Sequence, residues 1–180
     1  MTVVLDAAGI ERTLRRLASE IVEGCSEDGV DRFALIGIRR GGVPLAERLA
    51  DLIEGSEGQR PETGALDITL YRDDLYTGLE SPTFGATELP VNLNGVGIVL
   101  VDDVLFTGRT IRAALGVVHD YGRPPWIKLA VLVDRGHREL PIQADYTGGV
   151  VPTNQGDRIE VRAGAVPADD DAVVLHGGAA

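Results

Sequence analysis

Two rhythms of apolar residues run along the chain. Over residues 7–23, Ile10, Leu14, Leu17, Ile21 and Val22 recur at helical spacing, and Asp6 stands where an N-cap belongs, so the pattern predicts a helix. Gly24 and Ser26-Glu27-Asp28-Gly29 end it. Phe33 to Ile38 is a short unbroken apolar run, the pattern of a parallel strand buried on both faces. After Arg39-Arg40-Gly41-Gly42, Pro44 suits the first turn of a second helix carrying Leu45, Leu49, Leu52 and Ile53. Residues 55–64 read as surface loop, Leu66 to Tyr71 alternates as a strand does, and 72–89 is a long connection of little periodicity. A second buried strand, Gly97 to Val101, ends in Asp102-Asp103. Thr107-Gly108-Arg109-Thr110 then opens a helix through Ile111, Ala114, Leu115 and Val118, which Gly122 and Pro124-Pro125 stop. Trp126 to Val133 predicts a third buried strand, with Trp126 in the core, and Asp134 to Arg138 follows it. Segments near 144–151, 158–161 and 172–175 read as strands of a peripheral part.

Strands alternating with helices predict an α/β domain with a central parallel sheet, and 180 residues fit one domain spanning 1–180. In such sheets ligands bind beyond the carboxyl ends of the strands. The loops 39–42, 102–110 and 134–138 all fall at that edge.

Composition narrows the function. A lone Cys25 excludes an internal disulfide, Asp6 interrupts the apolar start Val3-Val4-Leu5, and no apolar run reaches membrane-spanning length. The expectation is a cytoplasmic protein without membrane contact. The net charge is −11, which disfavours broad nucleic-acid affinity. Sixteen of the 17 basic residues are Arg, with Lys128 the exception. A coding bias accounts for that excess, so position rather than number must identify functional arginines.

The chemistry concentrates in residues 98–112. The strand is apolar on both faces, so its terminal acids sit at a crevice. Neighbours on an extended chain point to opposite sides, so Asp102 and Asp103 suit two separate hydroxyls better than one shared proton. Thr107-Gly108-Arg109-Thr110 offers hydroxyls, a flexible glycine and free N–H groups at a helix start, an anion site. Hydroxyl acceptors beside a phosphate cradle describe a ribose 5-phosphate site. No Gly-x-x-x-x-Gly-Lys or Gly-x-Gly-x-x-Gly accompanies it, which excludes P-loop and dinucleotide-binding readings.

The segment resembles the PRPP-binding motif of type I phosphoribosyltransferases. Ile68–Leu75, Val99–Arg112 and Leu129–Ile142 resemble one branch of them, the PyrR family of uracil phosphoribosyltransferases that also regulate pyrimidine operons. The resemblance implies the type I phosphoribosyltransferase fold: a central parallel sheet flanked by helices, a flexible loop and a small hood of peripheral strands. It implies uracil and PRPP giving UMP and pyrophosphate, with Mg2+ bound mainly through PRPP and no metal ligands dedicated in the chain. PRPP would lie on Arg39, Arg40, Gly41, Asp102, Asp103, Val104, Leu105, Phe106, Thr107, Gly108, Arg109 and Thr110. The arginines would meet the pyrophosphate, and the acids the ribose hydroxyls. Asp102, Asp103 and Arg72 would be catalytic, with Arg72, Asp73 and Asp74 beginning a loop that closes over the site. Asp134, Arg135, His137 and Arg138 would frame the base.

The same resemblance implies uridine-nucleotide-dependent binding of the pyr mRNA leader on Arg15, Arg16, Arg39, Arg135 and Arg138, in a homodimer or larger homo-oligomer. The chain departs from the family pattern at Gly41, where an arginine is common. It departs again at Gln143 and Gly149, where basic residues are expected, and at Ser19, where histidine is common. A salvage phosphoribosyltransferase without RNA affinity and a non-catalytic regulator on the PRPP fold are the alternative readings.

Overall fold

The structure is a computed structural model that describes residues 1–27, 32–71, 85–89 and 93–178. In chain order the elements are β1 (Thr2–Asp6), α1 (Ala7–Glu27), β2 (Phe33–Ile38), α2 (Gly42–Glu57), β3 (Glu62–Leu66), a 3-10 turn (Thr69–Tyr71), β4 (Gly97–Leu105), α3 (Arg109–Tyr121), β5 (Ile127–Asp134), β6 (Tyr146–Val150), β7 (Arg158–Arg162) and β8 (Ala172–His176). Five strands form a parallel sheet in the order β3-β2-β4-β5-β6, and an antiparallel sheet runs β1-β8-β7.

The apolar runs explain the layering. Along β2, Leu35 joins one buried cluster while Ala34, Ile36 and Ile38 join another. Val99 and Val101 of β4 face the first cluster, Ile98 and Leu100 the second. Because successive side chains of a strand alternate faces, a strand apolar throughout needs cover on both sides. Ile10, Leu14, Leu17 and Ile21 of α1 and Leu45, Leu49 and Ile53 of α2 cover one face, and Ile111, Ala114, Val117 and Val118 of α3 cover the other. Asp6 caps α1 by accepting the Gly9 N–H at 2.7 Å.

Several boundaries differ from the sequence pattern. The helix from residue 7 continues through Glu27, because Cys25 is buried in the core and the Ser26 hydroxyl donates back to the Val22 carbonyl at 2.8 Å. The strand expected at 66–71 lies earlier, at Glu62–Leu66, within and just after the predicted loop 55–64. It ends where the Asp67 carboxylate accepts the Thr69 N–H at 2.7 Å, a local bond that turns the chain into the 3-10 segment. β6 is not peripheral but completes the parallel sheet beside β5. The apolar start of the chain is itself a strand, β1, paired with β8.

The small sheet is anchored through a buried ion cluster. The Arg48 guanidinium on α2 donates to Asp171 at 2.6 Å and to Glu11 of α1 at 3.0 Å. Arg48 and Asp171 are both buried, and a charge in that setting is tolerated only when so paired.

Candidate active site

Parallel strands all present their carboxyl ends at one edge, so β2, β4 and β5 deliver the loops 39–42, 106–108 and 135–138 side by side. β4 runs four residues beyond the expected Val101, so Asp102 and Asp103 lie within the strand and Val104 and Leu105 end it.

One end of the site is a cavity of about 310 Å³. Asp102, Val104, Leu105, Phe106, Thr107, Gly108, Arg109, Thr110, Ile111 and Glu139 line it. Its floor is the start of α3. Gly108 holds φ 92°, a conformation costly for residues with a Cβ, and its carbonyl accepts the Arg112 N–H at 3.0 Å as the helix begins. A helix start leaves N–H groups without intrahelical acceptors and carries the positive end of the dipole. The Thr107 carbonyl is held from below by the Glu139 and Leu140 N–H groups at 3.0 and 3.1 Å. Arg109 pairs with Glu139 at 2.6 Å across the rim. A cavity with this floor suits an anion of phosphate size.

The two acids face different neighbours. Asp102 is 7% exposed and lines the cavity. Half-buried Asp103 lies against Gly41, where an added Cβ would overlap its carboxylate. A larger residue at 41 would therefore have to displace the Asp103 side chain. Burial first, and the Asp103 charge second, push the Asp102 carboxyl well above the usual carboxylate range. The Asp103 charge acting on Asp102 links the two acids electrostatically. The Asp102 carboxylate also bends back to accept the Asp103 N–H at 3.0 Å.

In the 39–42 loop the arginines diverge. Arg39 is spoken for: its Nε donates to the Ala86 carbonyl at 2.9 Å, and Nη2 lies 3.3 Å from Glu88. Arg40 is exposed, and no hydrogen bond or ion pair engages it among the described residues. Arg72, Asp73 and Asp74 lie outside the described residues.

The other end is built from β5's terminal loop and residues 151–157. Gly136 (φ 76°) and His137 (φ 61°) turn the chain sharply. His137 Nε2 then meets the Thr153 carbonyl at 2.8 Å. Arg135 is buried, with its guanidinium 4.0 Å from the centre of the Phe106 ring. It donates to Thr153 Oγ1 at 3.2 Å and to the Asn154 carbonyl at 3.0 Å. Arg138 donates to the carbonyls of Phe106 (2.7 Å), Ile142 (2.9 Å) and Gly136 (3.2 Å) and pairs with Asp134. It thereby stitches the 134–138 loop to the cavity loop.

Of the five arginines expected to face RNA, Arg135 is turned inward, and Arg39 and Arg138 are committed to backbone carbonyls. Only Arg15 and Arg16 share an exposed helix. Arg15 pairs with Glu11 at 2.8 Å, and Arg16 pairs with Glu20 at 2.6 Å. Arg16 also donates to the Gly148 carbonyl on β6.

Sequence reasoning missed Thr153, Asn154 and Glu139, which hold the site together through backbone groups or from distant positions. It also missed Asp67, whose carboxylate accepts N–H groups from Thr69 and Gly85 and so joins segments 18 residues apart. Burial opposes ionisation of Asp67, but those hydrogen bonds and the Arg39 charge outweigh it and lower its pKa. The Asx-turn pattern Asp67-Ile68-Thr69 was the available signal.

Comparison with known proteins agrees with this geometry. The phosphoribosyl transferase domain model matches residues 2–165. The bifunctional protein PyrR of Pelotomaculum thermopropionicum is 52% identical over 173 residues, covering 96% of this chain and 94% of that protein. The bifunctional protein PyrR of Chloroflexus aurantiacus is 52% identical over 176 residues, covering 98% and 96%. Among solved structures, the hypoxanthine phosphoribosyltransferase of Trypanosoma cruzi superposes with a TM-score of 0.71 at 16% identity, covering 99% of this chain and 98% of that one, a likeness of fold. No helix among the described residues is long and apolar enough to cross a membrane. The chain belongs to the phosphoribosyl transferase domain family, on the branch of the bifunctional PyrR proteins.

Proposed function

We propose that this protein is a uracil phosphoribosyltransferase, converting uracil and PRPP to UMP and pyrophosphate, and that it also regulates pyrimidine genes by binding the pyr mRNA leader with uridine nucleotides. The observation that carries the catalytic half is one cavity lined by both Asp102 and the Thr107–Thr110 helix start. The choice of uracil and the regulatory half are supported by relatives that share about half their residues with this chain and carry the name bifunctional protein PyrR.

In the reaction the bond from ribose C1 to pyrophosphate breaks and a bond from C1 to the uracil ring nitrogen forms, while the ring proton leaves. Positive charge grows on the sugar and negative charge on the departing group. The chain needs no nucleophile of its own. It must hold the reactants in line and neutralise the leaving group. The 5-phosphate rests on the α3 start, Asp103 and Asp102 take the ribose hydroxyls, and the base enters beside Phe106 and the 134–138 loop. Arg40 is the better placed of the loop arginines for pyrophosphate, because Arg39 is already engaged. Arg72 keeps its expected catalytic role.

Mg2+ prefers oxygen ligands and commonly bridges phosphates and waters. The carboxylates of Asp102 and Asp103 are oxygen donors of the kind that would suit an ion carried on PRPP. Bound there, it would neutralise pyrophosphate oxygens.

Residues 1–180 are taken as one phosphoribosyltransferase domain working in the cytoplasm as a homodimer or larger homo-oligomer. For RNA, Arg15 and Arg16 are the exposed members of the expected set.

Incubation with PRPP and Mg2+ should yield UMP from uracil and no nucleotide from hypoxanthine or orotate. Turnover of either of those in place of uracil would overturn the substrate. A leader RNA should shift on a gel more strongly with UMP and less at high salt. Absence of any shift at low salt would remove the regulatory half.

A further inference from the structure

We infer that Asp157 is a positioning residue for the base end of the site, acting through the loop 153–157; the inference rests on the assignment of 134–138 to the base. The loop's polar groups face two ways. Toward the site, the Thr153 carbonyl accepts from His137, Thr153 Oγ1 donates to the Arg135 carbonyl at 3.1 Å, and the carbonyls of Asn154 and Gln155 accept from the Arg135 guanidinium at 3.0 and 3.4 Å. Arg135 in turn lies over the Phe106 ring, whose backbone borders the phosphate cavity. Away from the site, the Asp157 carboxylate fastens the loop. Asp157 Oδ2 accepts the Asn154 N–H at 2.7 Å, and Oδ1 accepts the Gly178 N–H at 2.9 Å. The Asp157 N–H closes the turn on the Asn154 carbonyl at 3.1 Å.

One carboxylate therefore joins the chain's C-terminal end to the loop that sets Arg135 and His137. Gly178 is seated closely: an added Cβ would stand 2.6 Å from the Gly156 carbonyl oxygen. Charge-assisted bonds of this kind are stronger than neutral ones and fix direction. The residues on the far side of the site, Thr107 to Thr110, are held by Glu139 and Leu140 and have no bond to this loop among the described residues. Loosening 153–157 should thus move base affinity and leave PRPP affinity in place. Asp157 touches neither substrate, so it orients groups that do.

The test compares wild type, Asp157→Ala and Asp157→Asn in steady-state assays varying uracil and PRPP separately. Asp157→Ala should raise KM for uracil about fivefold to tenfold, with KM for PRPP within about twofold, the size expected for losing two oriented hydrogen bonds. Asp157→Asn keeps one acceptor and should fall between. Amide exchange at Asn154 should quicken in the Ala variant, a readout independent of turnover. An unchanged KM for uracil in both variants, or equal rises for both substrates, overturns the positioning role while the base assignment stands. Wild type that binds no uracil overturns the base assignment and this inference with it.

Discussion

The two ends of the site are built on different plans. On the proposed assignment the phosphate end is contiguous: residues 102–111 supply the strand terminus, the turn and the helix start, and the groups proposed to work there are backbone N–H groups and two carboxyls. The proposed base end is assembled from 134–138, 151–157 and Phe106, and its arginines point inward to hold carbonyls. A short local segment can build an anion site because helix geometry supplies the donors at no cost in long-range contacts. A site for a planar base needs walls from several loops, so charged side chains are spent on holding those loops together.

The sharpest break in that contrast should come from Asp103→Asn. If the acids grip the ribose, kcat/KM for PRPP should fall about a hundredfold, the scale of removing one oriented group that stabilises developing charge. A variant with full activity would sink the ribose placement. Next in size, Arg138→Ala frees three carbonyls and Asp134 together. KM for uracil should rise about tenfold and KM for PRPP less, since only the Phe106 contact reaches the phosphate end. Should both constants rise alike, the two ends are one structural unit.

The smallest effect concerns stability. The folded-state pKa of Asp102 is raised, so its contribution to stability is complete below about pH 4, the ordinary aspartate value, and is lost as pH rises through the folded-state value. Asp102→Asn removes that dependence. At neutral pH the variant should melt at or above the wild-type temperature, by about 2–4 °C for each kcal/mol regained, while it loses activity. Melting well below wild type at pH 7 would contradict this cost of burial.

How much was legible follows the same division. The strands β2, β4 and β5 announced themselves because their unbroken apolar stretches, 33–38, 97–101 and 129–133, are the pattern of burial on both faces. Asp102 to Thr110 was readable because its chemistry sits in adjacent residues. Arg135 and Arg138 were readable as residues but not in direction. Nothing in Asp134-Arg135-Gly136-His137-Arg138 states that Thr153 and Phe106 supply the partners. β3 was misplaced because an Asx turn, a side-chain effect, outweighed alternation. β1 was overlooked because its partner, β8, lies at the other end of the chain.

That last pairing has a temporal consequence. Thr2 stands beside Leu175, and Asp6 beside Ala172. Every strand of the parallel sheet is encoded before residue 151, so the main sheet has all its pieces while synthesis is still under way. The small sheet must wait for β8 to emerge, so β1 stays without that partner until long after it is made. A nascent chain therefore carries residues 102–111 before Gly178, the partner of Asp157, exists.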